Sequence, residues 1–231
     1  MRTIGLIGGM SWESTAIYYQ ELNRRVRDRL GGLHSVSCLL SSVDFAEVES
    51  MQQHGEWDRA GTFLAQHAQR LQDGGAECVV LCTNTMHRVF DEISAAVEVP
   101  VLHIADGTAA ALSTAQVATV GLLGTRYTME QQFYRSRLED KGFHVVVPDE
   151  PDRTIVHDII YNELCLGKVL DHSRALYIDI VRALADRGAE AVILGCTEIG
   201  LLLDNSNCPL PVFDTTLLHV EAALDWALAS R

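Results

Sequence analysis

The sequence predicts an α/β fold made of two repeated halves, each a parallel sheet flanked by helices, and three observations predict it. Short apolar runs alternate with longer amphipathic segments, the pattern of parallel strands joined by helices. Two of those runs, Val79-Val80-Leu81-Cys82-Thr83 and Val192-Ile193-Leu194-Gly195-Cys196-Thr197, share a buried-strand core that ends in cysteine and threonine. The strand, turn and helix signals then begin again halfway along the chain.

The elements follow in order. Residues 4–7 are apolar and read as the first strand, and Gly8-Gly9-Met10-Ser11 as a tight turn. Over residues 12–30, Ile17, Leu22, Val26 and Leu30 recur at helical spacing, and Gly31-Gly32 ends the run. Residues 36–43 read as a second strand, 44–53 as a short helix, and 58–72 as a helix closed by Gly74-Gly75. Residues 78–81 form the third strand, 85–96 a helix, and Pro100-Val101-Leu102 opens a fourth strand. In the second half, 117–123, 144–147, 191–194 and 211–213 read as strands, and 129–141, 152–166, 173–187 and 215–229 as helices.

The repeat is visible inside the one chain. Ile4-Gly5-Leu6-Ile7-Gly8 answers Val120-Gly121-Leu122-Leu123-Gly124, Gly75-Ala76-Glu77 answers Gly188-Ala189-Glu190, and Pro100-Val101 answers Pro211-Val212. The expected division is a first lobe of residues 1–104 plus 213–231 and a second of 105–212, with the last helix crossing back. By the Gly-Ala-Glu register, Cys196 falls level with Thr83 and Cys82 level with Gly195, so the two thiols stand one residue out of step.

Composition narrows the function. A net charge of -13 repels phosphate backbones, which speaks against a nucleic-acid partner. No apolar run approaches the ~20 residues of a membrane span, and the N-terminus lacks the apolar segment of a signal peptide. A cytoplasmic setting with free thiols is expected. Among the cysteines, Cys38, Cys78 and Cys165 read as buried and inert, and Cys208 as a loop residue. The histidines are scattered along the sequence, and no metal site is expected; His87 reads either as an aid to Cys82 or as a structural histidine. Gly5-x-x-Gly8-Gly9 lacks dinucleotide-loop spacing and reads as a tight turn. Asp106 and Asp214 read as helix caps or as acids. The arginines at 24, 25, 27 and 29 read as a solvated helix face.

Cys82 and Cys196 are the candidate catalytic pair. Ligands of open α/β sheets bind at the carboxyl ends of the strands, where both cysteines sit. Inverting a carbon centre needs a base on one face and an acid on the other. A thiol, with a pKa of ~8.5, can serve as either. Thr83, Asn84 and Thr85 offer hydroxyl, amide and backbone N–H groups to a carboxylate, Thr197 mirrors them, and Glu198 can hold an ammonium. Gly8-Gly9-Met10 and Gly124-Thr125 end the first strand of each half.

Cys82-Thr83-Asn84-Thr85-Met86-His87 and Gly195-Cys196-Thr197-Glu198 resemble the two signature motifs of the aspartate/glutamate racemase family. The opening Gly5-Leu6-Ile7-Gly8-Gly9-Met10-Ser11-Trp12-Glu13-Ser14-Thr15 and the stretch Leu123-Gly124-Thr125-Arg126-Tyr127-Thr128-Met129 resemble its broad-specificity amino-acid branch. The resemblance implies two flavodoxin-like lobes with the active site between them, no cofactor, a homodimer, and an amino-acid substrate. It implies that Cys82 and Cys196 are the two bases, and that Met10, Gln52, Thr83, Asn84, Thr85, Thr125 and Thr197 hold the substrate. Lys168 is a further candidate for a positive charge. Aspartate-specialised members carry a Pro-Asp-Arg-Thr stretch after the second strand. Here the sequence is Val43-Asp44-Phe45-Ala46-Glu47, with no arginine before Arg59, which moves the expectation toward neutral or mixed side chains. Hydantoin racemases, maleate isomerases and arylmalonate decarboxylases resemble the same scaffold, and a carboxylate-binding or thiol redox protein is the non-enzymatic alternative.

Overall fold

The computed structural model describes residues 1–229. It contains two four-stranded sheets, every pair parallel, with strand orders β2-β1-β3-β4 and β6-β5-β7-β8. The first comprises β1 (Ile4–Gly8), β2 (Cys38–Ser42), β3 (Cys78–Leu81) and β4 (Val101–Leu102); the second, β5 (Thr119–Gly124), β6 (His144–Val146), β7 (Ala191–Gly195) and β8 (Val212–Asp214). Each order is a four-stranded form of the flavodoxin pattern. The compact units are Met1–Ile104 with the segment from His219 onward, and Ala105–Leu218. The return to the first unit comes later than residue 213, because Phe213 and Asp214 pair with Ile193 and Leu194 in the second sheet.

In the first unit, α1 (Trp12–Leu30) begins at Ser11, whose side chain accepts from the Ser14 N–H, and ends at Gly31 with φ 72°. Its inner face carries Tyr18, Leu22 and Val26, four residues apart, against Ile4, Leu6, Cys78, Val80 and Cys82. The same sheet face receives Val220, Ala223, Leu224 and Ala227 of α10 (Thr215–Leu228). The opposite face, Ile7, Val79 and Leu81, is covered by α2 (Phe45–Gln53), α3 (Trp57–Asp73) and α4 (Phe90–Ala95). A strand covered on both sides has no polar face, which is why β3 is an unbroken apolar run.

Arg25 and Arg29 are not a purely solvated face. Arg25 pairs with Glu221, and Arg29 with Glu221 and Asp225, so α1 is tied to α10 by residues four apart on each helix. Arg2 adds a hydrogen bond of 2.9 Å to the Trp226 carbonyl and lies over the Trp226 ring.

In the second unit, α8 (Asp152–Asn162) and α9 (Asp171–Asp186) place Val156, Ile160, Tyr177, Val181 and Leu184 against Leu123, Val192 and Leu194. The helix expected at 152–166 ends at Asn162, and three others depart further from expectation. α5 (Ile104–Thr114) stands where no helix is predicted, because its Ala- and Thr-rich sequence has little periodicity. The helix expected at 129–141 is two, α6 (Arg126–Glu130) and α7 (Gln132–Glu139), divided at Gln131 with ψ 151°. The segment 85–96 begins as a 3-10 turn, Thr85–Val89, before α4. Cys78 is buried as expected, but Cys38 and Cys165 are partly exposed. Cys38 lies on β2, the edge of its sheet, and Cys165 on the 3-10 turn Leu164–Leu166. Asp214 accepts from the Thr216 and Leu217 N–H groups and caps α10, whereas Asp106 pairs with Arg137 and Lys141. Among the described residues no helix is long and apolar enough to cross a membrane, and no group of three or more His, Cys, Asp or Glu is arranged to hold a metal.

Candidate active site

In parallel sheets of this strand order, ligands bind where the order reverses, at the carboxyl ends of the two central strands. In the first unit that point lies between β1 and β3. β1 delivers Gly9, Met10 and Ser11; β3 delivers Cys82, Thr83, Asn84 and Thr85. Gly9 adopts φ +95°, and a Cβ there would stand 2.2 Å from the Val43 carbonyl oxygen, so the turn takes no larger residue. The Gly9 N–H donates to Thr15 Oγ1 at 2.8 Å. This is the tight turn the sequence predicts.

Cys82 is fully buried. Its N–H donates to the Ile7 carbonyl at 2.9 Å, and its Sγ lies 4.0 Å from the Val80 carbonyl oxygen. Burial pushes the thiol up from its ordinary value, with Cys38 adding to the effect, so Cys82 carries its proton at neutral pH. Thr83, Asn84, Thr85, Met10 and Gln52 are all buried in this unit. Gln52, on α2, donates through Nε2 to the Met86 sulfur at 3.0 Å, which brings α2 onto the turn that follows Cys82.

His87 is anchored to the backbone at both ring nitrogens. Its Nε2 accepts from the Ile104 N–H at 3.1 Å, and its Nδ1 faces the Thr83 carbonyl at 2.7 Å. Three histidines that are far apart in sequence meet here. The His87 ring lies 4.6 Å from that of His103 and 5.9 Å from that of His219, and all three are buried.

In the second unit the same point lies between β5 and β7. Thr125 caps α6, accepting from the Thr128 N–H. Gly124 and Gly195 face each other across the strand pair, and a Cβ on Gly124 would stand 2.9 Å from the Gly195 carbonyl. Cys196 follows, partly exposed. Its thiol donates to Glu198 Oε2 at 2.9 Å, and Thr197 Oγ1 donates to the same oxygen at 2.6 Å. Glu198 is buried and turned back on its own loop. Burial, then the Glu198 carboxylate and the Cys165 thiol, push Cys196 well above its ordinary value. Lys168 is exposed, two residues past the turn at Leu164–Leu166.

The strand pairing fixes how the two thiols correspond. Ile4 pairs with Cys78 and Val120 with Ala191, so Cys82 stands level with Gly195, and Cys196 with Thr83. Successive strand residues face opposite sides of a sheet, so a one-residue step turns the side chain over. Cys82 accordingly packs with Cys78 and Val80 on the α1 and α10 face. Cys196 packs with Val192 and Leu194 on the α8 and α9 face.

The sequence and the fold are both matched by known proteins. The sequence matches the Asp/Glu/Hydantoin racemase family over residues 7–223. The chain belongs to that family. A crystal structure of a candidate Asp/Glu racemase from Yersinia pestis is 50% identical, covers 99% of this chain and 100% of its own, and has a TM-score of 0.93. An aspartate racemase homologue from Pyrococcus horikoshii is 32% identical over 99% of this chain and 100% of its own, with a TM-score of 0.87. The broad specificity amino-acid racemase RacX of Bacillus subtilis is 22% identical, covering 98% of each chain. The racemase fold of two parallel-sheet lobes is therefore the fold of this chain, and the protein is an enzyme of the racemase family. The residues the sequence leaves unmarked are the anchors around the site. His103 and His219 give no local signal. The link from Glu198 to Cys196 is visible only as two residues at i and i+2.

Proposed function

We propose that the protein is a cofactor-independent racemase of free amino acids, with Cys82 and Cys196 as its two acid/base groups. The observation that carries this reading is a thiol at the crevice of each repeated sheet in a racemase-family chain. Thr83, Asn84, Thr85 and Thr197 hold the α-carboxylate through hydroxyl and amide donors, and Met10, Gln52 and Thr125 border the side chain.

Both thiols are held protonated before the substrate enters, Cys82 by burial and Cys196 by its half-buried place beside the Glu198 carboxylate. Glu198 Oε2, already accepting the Cys196 S–H, takes that proton and leaves a thiolate without adding net charge to the site. The thiolate removes the α-proton from one face, and Cys82 donates its own proton to the other. The enzyme is left with thiolate at Cys82 and thiol at Cys196, the form that accepts the product enantiomer. Without an arginine in the 43–47 stretch, neutral and mixed side chains are the favoured substrates.

Incubation in D2O with a panel of L- and D-amino acids and hydantoins tests this. Loss of the α-proton signal by NMR, with appearance of the opposite enantiomer, is expected for a set of amino acids. Turnover of hydantoins alone, or of nothing in the panel, would contradict it.

A further inference from the structure

We infer that His87 is a positioning residue, a neutral imidazole that aims the loop after Cys82. The inference rests on Cys82 being one of the two bases. The ring is 2% exposed and lies between two backbone groups of opposite character. The Ile104 N–H can only donate, so Nε2 presents its lone pair to it at 3.1 Å. A neutral imidazole then carries its proton on Nδ1, and that proton points at the Thr83 carbonyl oxygen, 2.7 Å away.

Surrounding rings lock this orientation. Phe90 stacks on His87 at 5.9 Å and 10°, and His103 meets it edge-on. His219 lies 5.9 Å away and is itself fixed. Its Nε2–H donates to the Leu102 carbonyl at 3.0 Å, and its Nδ1 accepts from the Tyr18 hydroxyl at 2.9 Å. With both nitrogens of His87 occupied by backbone, the ring neither binds a metal nor exchanges a proton with substrate.

The consequence falls on the residue next to the thiol. A trans peptide is planar, and its N–H points opposite to its C=O. Holding the Thr83 carbonyl toward His87 therefore sends the Asn84 N–H the other way. The Cys82 N–H is held by Ile7 on the preceding side. Cys82 and Thr83 are thus pinned between a strand and an imidazole. The second unit lacks this device, since carrying the register forward puts Gly200 level with His87.

The test compares His87→Asn, His87→Gln and His87→Ala. Asparagine can place a donor near Nδ1, whereas glutamine reaches toward Nε2. Misplacing a reacting group by about 1 Å costs about 10²-fold. His87→Ala and His87→Gln are expected to lose about that much in kcat with little change in KM, and His87→Asn to stay within about tenfold of the parent. Amide hydrogen exchange at Asn84 and iodoacetamide alkylation of Cys82, read by peptide mass spectrometry, should speed up in Ala and Gln but not in Asn, with Cys196 unchanged. These two readouts need no racemase activity, so they report on the clamp even if the amino-acid panel fails. Should His87→Ala not fold, Asn against Gln decides. A glutamine variant better than asparagine, or a folded alanine variant with parental kcat and Asn84 exchange, would overturn the inference.

Discussion

At Cys82 the thiol faces α1 and α10 among apolar side chains, and the following loop is held by an imidazole on its backbone. At Cys196 the thiol faces α8 and α9, and the loop is held through the thiol itself, by Glu198. The two halves share strand order, pairing register and the Cys-Thr phrase. They differ in what surrounds the sulfur, apolar side chains at Cys82 and the Glu198 carboxylate at Cys196. Duplication has preserved the backbone that places a thiol in each crevice, while the chemistry around each has diverged. The one-residue step explains how. It turns Cys196 over relative to Cys82, so each sulfur meets a different helix layer and acquires different partners. The positions level with His87 and His103 show the same divergence. They are Gly200 and Asp214, and a Cβ on Gly200 would stand 2.8 Å from Asp214 Oδ2, so the acid occupies the space beside the glycine.

Removing either sulfur is the largest expected perturbation. Cys82→Ser and Cys196→Ser should each lower racemisation by about 10³-fold, since proton transfer by a positioned group contributes about 10²–10⁴. Glu198→Gln should separate the two sites next. The amide cannot take the Cys196 proton, and racemisation should fall by about 10²-fold. Yet removing the carboxylate also removes a cause of the raised Cys196 pKa. Alkylation of Cys196 should therefore begin at lower pH, while the profile of Cys82 stays in place. A less active enzyme with a more reactive Cys196 would confirm the asymmetry; matching shifts at both thiols would break it.

The smallest effect is on stability. Burial, with Glu77 adding, pushes Cys78 up to about 12, and Cys82 on the same sheet face is also raised. A free thiol in the unfolded chain titrates near 8.5. The folded state thus binds the proton more tightly, and its contribution is complete below about pH 8.5 and is lost as the pH rises toward about 12. Guanidinium unfolding midpoints should fall between pH 8 and 10, and Cys78→Ala should flatten the decline. A midpoint independent of pH over that range would contradict it.

Much of this was legible in the sequence because strands buried on both faces leave continuous apolar runs. β3 and β7 could be read from Cys78 to Leu81 and from Ala191 to Leu194 on that signal alone. The step between the thiols was legible from the Gly-Ala-Glu repeat. α5 was not, because Ile-Ala-Asp-Gly-Thr-Ala-Ala-Ala-Leu-Ser-Thr carries too few large apolar residues to show a face. The link from Arg25 and Arg29 to Glu221 and Asp225 left a faint trace, the same four-residue spacing on two distant helices. The His87 clamp left none. Its second partner is a backbone N–H at Ile104, and backbone partners have no residue type to recognise.

The proposal of two non-equivalent bases makes one measurement decisive. Racemisation itself cannot distinguish the thiols, because its equilibrium ties the two directions together. Wash-in of deuterium can. In D2O, each serine variant retains one sulfur, which can remove and return the α-hydrogen on its own face without inverting the carbon. Cys82→Ser should deuterate one enantiomer with retention and leave the other untouched; Cys196→Ser, whose remaining thiol has no carboxylate beside it, should deuterate only the other enantiomer, and more slowly. Exchange of the same enantiomer by both variants, or racemisation surviving in either, would contradict the assignment of Cys82 and Cys196 as opposed bases.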